Sequence, residues 1–498
     1  MRSAAALDRG PQPHAAGGRT RCVVLGAGIA GLVAGLDLAR SGIDVTVVEA
    51  APFAGGRTSS WRTASGLHAD TGLHVFAEHY RTLFDVLRGI GAGDDLIWWD
   101  RHQYRRPDGS EVLFRLSQLP SPFHLLYPAR AMSLSAAARL RLLRAASEVA
   151  FATQDDLCRL DHVSYRDWHQ QHHLDDGFLF ELAEYAADAT TFLTPDRVSA
   201  RAVLSWLKYM FRSTRSARVG TWRRPMAEAL VGPLVRAIER HGGAVRTTTA
   251  VVRLDLEQRC DGIRRVIVRR SAAVGPCYRA DGHVAVTGPE EAIPADAVIS
   301  ALPVQALRSI LDPELVRLSG LAHALTLTTV PALSVVLGFD RRIARPFHGP
   351  LLASGSSIRN VVDLDELRGL ASSGLVSDRT CLQVLVGRAA ERLMLSDEAI
   401  VDLVLHDLQV LHPALSAARL VDHQVGRVDA AMFAATPGTH ARRPECRTGV
   451  GNFFVAGDWT RHVLNASMEG AAHSGRLAAR ALLQEVGLFR PQRIGVAP

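Results

Sequence analysis

Residues 21–50 read RCVVLGAGIAGLVAGLDLARSGIDVTVVEA. An apolar strand-like run, Arg21 to Leu25, enters a glycine turn. Small and apolar residues at helical spacing follow and stop at Gly42, and a second apolar run, Asp44 to Val48, ends in Glu49. Gly26, Gly28 and Gly31 stand in GxGxxG spacing. Alone, that pattern says little. Between a strand and a helix, with an acid about 20 residues further on, it predicts a dinucleotide-binding strand-helix-strand unit. The glycines allow the tight turn, the approach of backbone to pyrophosphate and close helix–sheet packing. The helix N-terminus favours phosphate charge. The candidate cradle is Gly26, Gly28, Ile29, Ala30 and Gly31, with Glu49, followed by Ala50, placed to accept from a ribose hydroxyl.

The next residues favour FAD over NAD. APFAGGR (51–57) sets Gly55, Gly56 and Arg57 directly after the acid, a loop common in large FAD enzymes. DTGLH (70–74) would bring a second loop, with Gly72, Leu73 and His74, toward the flavin. Near the other end stands AGDWTRHVLNASMEGAAHSG (456–475). Gly457-Asp458 follows a strand-like run, and Asp458 is expected to bond a ribityl hydroxyl. Ser467 is the expected N-cap of a final helix, with Met468 and Ala471 in its first turns. Gly470, Ala471, Ser474 and Gly475 would leave one face narrow enough for a flat ring to approach the backbone. The positive helix end would then favour the reduced, anionic flavin.

A chain of 498 residues holds two or three domains' worth of core. The expected fold class is α/β: a Rossmann-type FAD-binding domain of discontinuous segments (21–100, 225–305 and 430–487) with an inserted mixed α+β substrate domain (101–224 and 306–429). Residues 1–20 and 488–498 are read as tails. Residues 130–215 are helical in pattern. Strand signals return in AVRTTTAVVRLDL (244–256), ADAVISALP (295–303) and PALSVVLGFD (331–340), and DEAIVDLVLHDLQVL (397–411) looks helical.

Composition narrows the classes. Hydrophobic residues make up 47%, too many for a disordered chain. No uninterrupted apolar run reaches the about 18–20 residues of a membrane span. Six cysteines without a CxxC pair argue against a zinc site or a disulfide framework, so no metal is expected and a cytoplasmic location is. Net charge is +7, and Lys208 is the only lysine among 57 basic residues, a skew that a GC-rich genome explains. No zinc-finger or RNP pattern accompanies the charge, which argues against nucleic acid.

With these motifs, the chain resembles the flavin amine oxidase superfamily, and within it the phytoene desaturase and zeta-carotene desaturase branch. GLHVFAEHY (72–80), FLTPDRVSARAVLSWL (192–207), RPMAEALVGPLVRAIERHGGAVR (224–246) and FFVAGDWTRHVLNASMEGAAHSGRLAA (453–479) carry the likeness. The resemblance implies non-covalent FAD, a further cofactor contact at Val251, and a long apolar polyene, isoprenoid or lipid-like substrate in a tunnel beneath the isoalloxazine. Hydride would pass to flavin N5, leaving a new C=C bond. Isomerisation or dehydroxylation of a polyene, amine oxidation, and non-catalytic lipid binding on the same fold are the alternatives.

The chain departs from the family at Ala77-Glu78-His79, where an apolar, glycine-rich continuation is usual. Glu78 or His79 is therefore a candidate proton acceptor. Lys208, in the helix where a basic residue of the family aligns, is a third catalytic candidate, since a lysine shifts its pKa readily. YMFRSTRSARVGTWRR (209–224) interleaves arginines with aromatics and suits an anionic membrane surface or an acidic carrier protein. The sequence leaves the oligomeric state open.

Overall fold

The computed structural model describes residues 19–62, 68–99, 101–105, 111–115, 134–174, 177–211, 218–257, 262–273, 281–343, 351–353, 356–367, 379–464 and 466–488. Arg21–Leu25 (β1) and Asp44–Val48 (β2) flank the helix Ile29–Arg40 (α1). Three distant strands join them: Ala244–Arg246 (β3), Ala297–Ser300 (β4) and Phe453–Val455 (β5). Together they make one parallel sheet of order β3-β2-β1-β4-β5.

These strands are nearly continuous apolar runs because both faces are covered. Cys22, Val24, Val45, Val47, Ile299 and Phe454 pack toward α1 and two further helices, Gly232–Arg240 (α2) and Met468–Glu485 (α3). Val23, Leu25, Val298, Phe453 and Val455 share the opposite core with Leu254, Ile263, Val266 and Val268. The latter four come from an antiparallel meander of Thr249–Glu257, Gly262–Ser271 and Val286–Pro294. The run 244–256 thus divides between two sheets. The break falls at Thr247-Thr248, where Thr248 takes a φ of +53° and redirects the chain.

A seven-stranded sheet forms the second half of the molecule. Its order is Leu420–Phe433, Thr329–Phe339, Thr380–Val386, Ile358–Asp363, Leu351–Ala353, Arg101–Arg105, Glu111–Arg115. The pair Leu351–Ala353 and Arg101–Arg105 is parallel and the other neighbours are antiparallel. The helix Asp397–Leu411 covers one face. The region read as helical contains Ala136–Phe151, Gln154–Arg159, Tyr165–Gln171, Gly177–Thr191 and Ala200–Phe211.

Two contacts fix α3. A Cβ built on Gly475 would lie 2.2 Å from the Ala30 carbonyl oxygen, so the glycine lets α3 cross α1 at backbone distance. Glu469, 5% exposed, accepts from the amides of Arg81, Thr82 and Leu83 at 3.1, 2.8 and 2.9 Å. Its carboxylate thereby caps the helix Thr82–Gly89.

The stretch 209–224 is not a uniform basic surface. Val219–Trp222 is the buried central strand of a three-stranded sheet with Phe76–Ala77 and Leu96–Trp99. Arg218 pairs with Glu78 at 3.2 Å and Arg224 with Asp95 at 2.6 Å. Arg212 and Arg215 lie outside the described residues. Among the described residues, no helix is long and apolar enough to cross a membrane.

Candidate flavin site

A cavity of about 610 Å³ opens at the carboxyl ends of β1, β2 and β5. The glycine turn forms its floor. Gly26 has a φ of +93°, and a Cβ on Gly31 would lie 1.9 Å from the Gly26 carbonyl oxygen, so Gly31 serves the turn itself. A Cβ on Gly28 would meet nothing within 4 Å; it would project into the space a pyrophosphate needs. No side chain caps α1, leaving its first amides available to an anion. Ile29 and Ala30 line the same floor.

The GGR loop lies directly across this turn. The Gly55 amide donates to the Ala27 carbonyl at 2.8 Å, and a Cβ on Gly56 would stand 3.1 Å from the Cα of Gly28. Both glycines have positive φ, +118° and +53°. Glu49 accepts from the Ala27 and Ala51 amides at 2.9 Å each. Its burial pushes the carboxyl pKa up, while these amide bonds oppose that shift. The two bonds hold the carboxylate at the cavity edge, beside Ala50 and Val251, where a ribose diol can donate to it.

The sequence sets Asp458 and Arg57 each toward the cofactor; the structure joins them. Arg57 Nη2 donates to Asp458 Oδ1 at 2.8 Å, and Nη1 donates to the Ala431 carbonyl at 2.6 Å. Asp458 is 4% exposed, and both residues line the cavity. The loop after β5 hangs on Arg443, 1% exposed, which donates to the carbonyls of Asp458, Trp459, Thr460, His462 and Leu464. Burial lowers its pKa to about 9, partly offset by Asp458 and Asp161. Sequence reading missed this residue; nothing local distinguishes it in an arginine-rich chain.

The expected cap forms: Ser467 accepts from the Gly470 amide at 3.0 Å. Ser467, Met468 and Ala471 line the cavity together with Gly457. The narrow face is otherwise used than expected. Gly475 meets α1, and Ser474 accepts from the Gly457 amide at 2.9 Å, so these two residues position the loop and the helix and do not admit a ring.

Gly72, Leu73 and His74 line the middle of the cavity. Burial lowers the His74 pKa, with Asp70 opposing, which favours the neutral ring. The catalytic candidates part company. His79 lines the cavity, its ring stacked on Tyr209 with centroids 5.1 Å apart. Glu78 instead pairs with Arg218 and is absent from the lining. Lys208 donates to the Ala152 carbonyl at the end of the helix Ala136–Phe151, likewise away from the cavity.

The same cavity continues past these loops to a far wall of Ala189, Phe192, Trp206, Ala332, Leu385 and Val428. It therefore offers a nucleotide cradle at one end and an apolar chamber at the other.

Comparison with known proteins gives the family. A family model described as flavin containing amine oxidoreductase matches residues 29–483. The chain belongs to this family. It is an FAD-dependent oxidoreductase, and the cradle fits that cofactor through Gly28, Glu49 and the uncapped start of α1. A 15-cis-phytoene desaturase of Solanum lycopersicum is 26% identical over 94% of this chain and 78% of its own length. A 15-cis-phytoene desaturase and a probable zeta-carotene desaturase of Synechococcus elongatus are 25% and 26% identical, each over 93% of this chain and 96% and 98% of their own lengths. In fold, the chain is similar to an oxidoreductase from Methanosarcina mazei, with a TM-score of 0.66 at 17% identity over 93% of this chain and 100% of the other. A putrescine oxidase bound to putrescine gives 0.67 at 16% identity over 94% and 99%.

Proposed function

We propose that this enzyme dehydrogenates a long apolar polyene or isoprenoid chain held in the inner chamber. The continuity of one cavity from the Gly28–Glu49 cradle to the wall of Phe192, Trp206 and Leu385 carries the reading. The desaturases among its relatives support it. When bound, FAD supplies the hydride acceptor.

The chain's own residues supply the rest. The apolar wall positions the substrate and excludes water. His79 takes the proton from the carbon next to the one that loses hydride, so that the remaining electron pair closes the C=C bond. Its stacking on Tyr209 holds the ring toward the chamber. Glu78 and Arg218 brace the preceding turn.

FAD is held without a covalent bond: Cys22, the cysteine nearest the glycine turn in sequence, is buried on the helix side of β1. The substrate enters from an anionic membrane surface, met by the helix Ala136–Phe151, on which Leu140, 69% exposed, stands between Arg139 and Arg141 and Phe151, 77% exposed, ends the helix.

The test is anaerobic incubation of the yellow holoenzyme with C30 and C40 polyenes and with diamines, following loss of flavin absorbance. Bleaching by polyenes with a product two hydrogens lighter is the expected result. Bleaching by amines alone would overturn the proposal.

A further inference from the structure

The far wall of the chamber is not wholly apolar. Arg359, on the strand Ile358–Asp363, lines the cavity and pairs with Asp188 of the helix Gly177–Thr191. Their side chains are 14% and 9% exposed. Asp188 is absent from the lining, so Arg359 stands between its partner and the chamber. On another side Gly387 closes the space: a Cβ there would lie 3.0 Å from Arg359 Nη2 and 3.3 Å from Asp188 Oδ2.

Two further polar groups belong to the same wall. Asn360, 9% exposed, lines the cavity, and its Oδ1 meets no hydrogen-bond partner among the described residues. The Nε of Arg359 is in the same condition. Arg388 and Arg392 also act on Asp188, so three guanidinium groups surround one carboxylate. A pure hydrocarbon would leave these groups desolvated and unanswered.

Resting on the reading that the chamber holds an apolar chain, we infer that the substrate carries a hydroxyl group at its inner end, which accepts from Arg359 and donates to Asn360 Oδ1. The chain itself lies against Phe192 and Trp206. The enzyme is in this respect selective for an amphiphile over a hydrocarbon.

Three polyenes of matched skeleton test this: all-trans-retinoic acid, all-trans-retinol and the corresponding hydrocarbon, titrated against holoenzyme while the flavin spectrum is followed. The alcohol should bind about tenfold or more tighter than the hydrocarbon, as one charge-assisted hydrogen bond from Arg359 implies, and tighter than the acid, which has no proton to give Asn360 Oδ1. In Arg359→Met the preference for the alcohol over the hydrocarbon should shrink about tenfold. Equal or tighter binding of the hydrocarbon by the unaltered enzyme overturns the polar-end assignment and leaves the apolar chamber intact. Equal weakening of all three ligands in Arg359→Met also overturns it, because a pair that only ties helix to strand would act in that way. Binding of none of the three by a fully flavinated enzyme overturns this inference, whereas the apolar-chain reading stands or falls with the C30 and C40 polyenes.

Discussion

Replacing Asp458 by asparagine keeps its volume and removes its charge. Its Oδ1 accepts from Arg57 at 2.8 Å, and Arg57 is further held by the Ala431 carbonyl. Only 4% of Asp458 is exposed, so solvent does little to replace the lost partner. A charge-assisted hydrogen bond in such a place contributes about 1.5–3 kcal/mol, equivalent to a roughly 10- to 150-fold loss of FAD affinity. The assay is reconstitution: apoprotein of the wild type, Asp458→Asn, Arg57→Met and the double variant is titrated with FAD, and flavin fluorescence quenching gives each Kd. If Asp458 acts on the cofactor only by holding Arg57, the double variant should be no weaker than the worse single variant. If it also accepts directly from the cofactor, the losses should approach additivity. An Asp458→Asn protein that binds FAD within about threefold of wild type would refute the reasoning, because the pair would then be a structural tie with no bearing on the cradle.

Three further outcomes follow from the geometry. Gly475→Ala drives a Cβ against the Ala30 carbonyl and should lower the melting temperature and FAD retention together, by the equivalent of about 1–3 kcal/mol, read by thermal unfolding with and without added FAD. His79→Gln should slow anaerobic flavin reduction by polyene about 100-fold or more, whereas Glu78→Gln should cost under about tenfold; near-equal rates for all three proteins would exclude His79 as the proton acceptor. Stability should fall on acidification from pH 7.5 to 5.5. Burial lowers the pKa of His74 and His462 in the folded state, so the unfolded chain binds more protons below about pH 6.5, and each ring kept neutral costs up to about 1.4 kcal/mol per further pH unit. A melting temperature that is flat or rises over this range would contradict it.

The cradle was legible because its determinants are local. A strand, a glycine turn, a helix and an acid occur within 30 consecutive residues, and the cap at Ser467 needs only the next turn of helix. The pairings were not legible. Arg57 and Asp458 are 401 positions apart, and each taken alone suits a direct contact with cofactor. The uses of Gly475 and Ser474 depend on where α1 and the loop after β5 lie, which no pattern inside α3 reveals. Glu78 and His79 are adjacent in sequence and equally polar; the turn that sends one to Arg218 and the other to the chamber is set by the strand Val219–Trp222. Arg443 and Arg359 were hidden by composition, since 56 arginines make any one of them look like solvated surface.

The placement of β1 at the centre of its sheet has a consequence for how the enzyme is made. β1 leaves the ribosome well before its neighbour β4, which begins at residue 297, and before the strand beyond it, at 453. At ordinary translation rates of about 5–20 residues per second, one edge of β1 waits on the order of tens of seconds for its partner. Throughout that interval an apolar strand edge is open to pairing with another nascent chain. The flavin offers no help, because Asp458 and the start of α3 are synthesised later than β4. Yield of this enzyme should therefore respond more to chaperone supply and slower growth than to riboflavin in the medium, and a product truncated before residue 458 should accumulate as aggregate rather than as a half-formed flavoprotein.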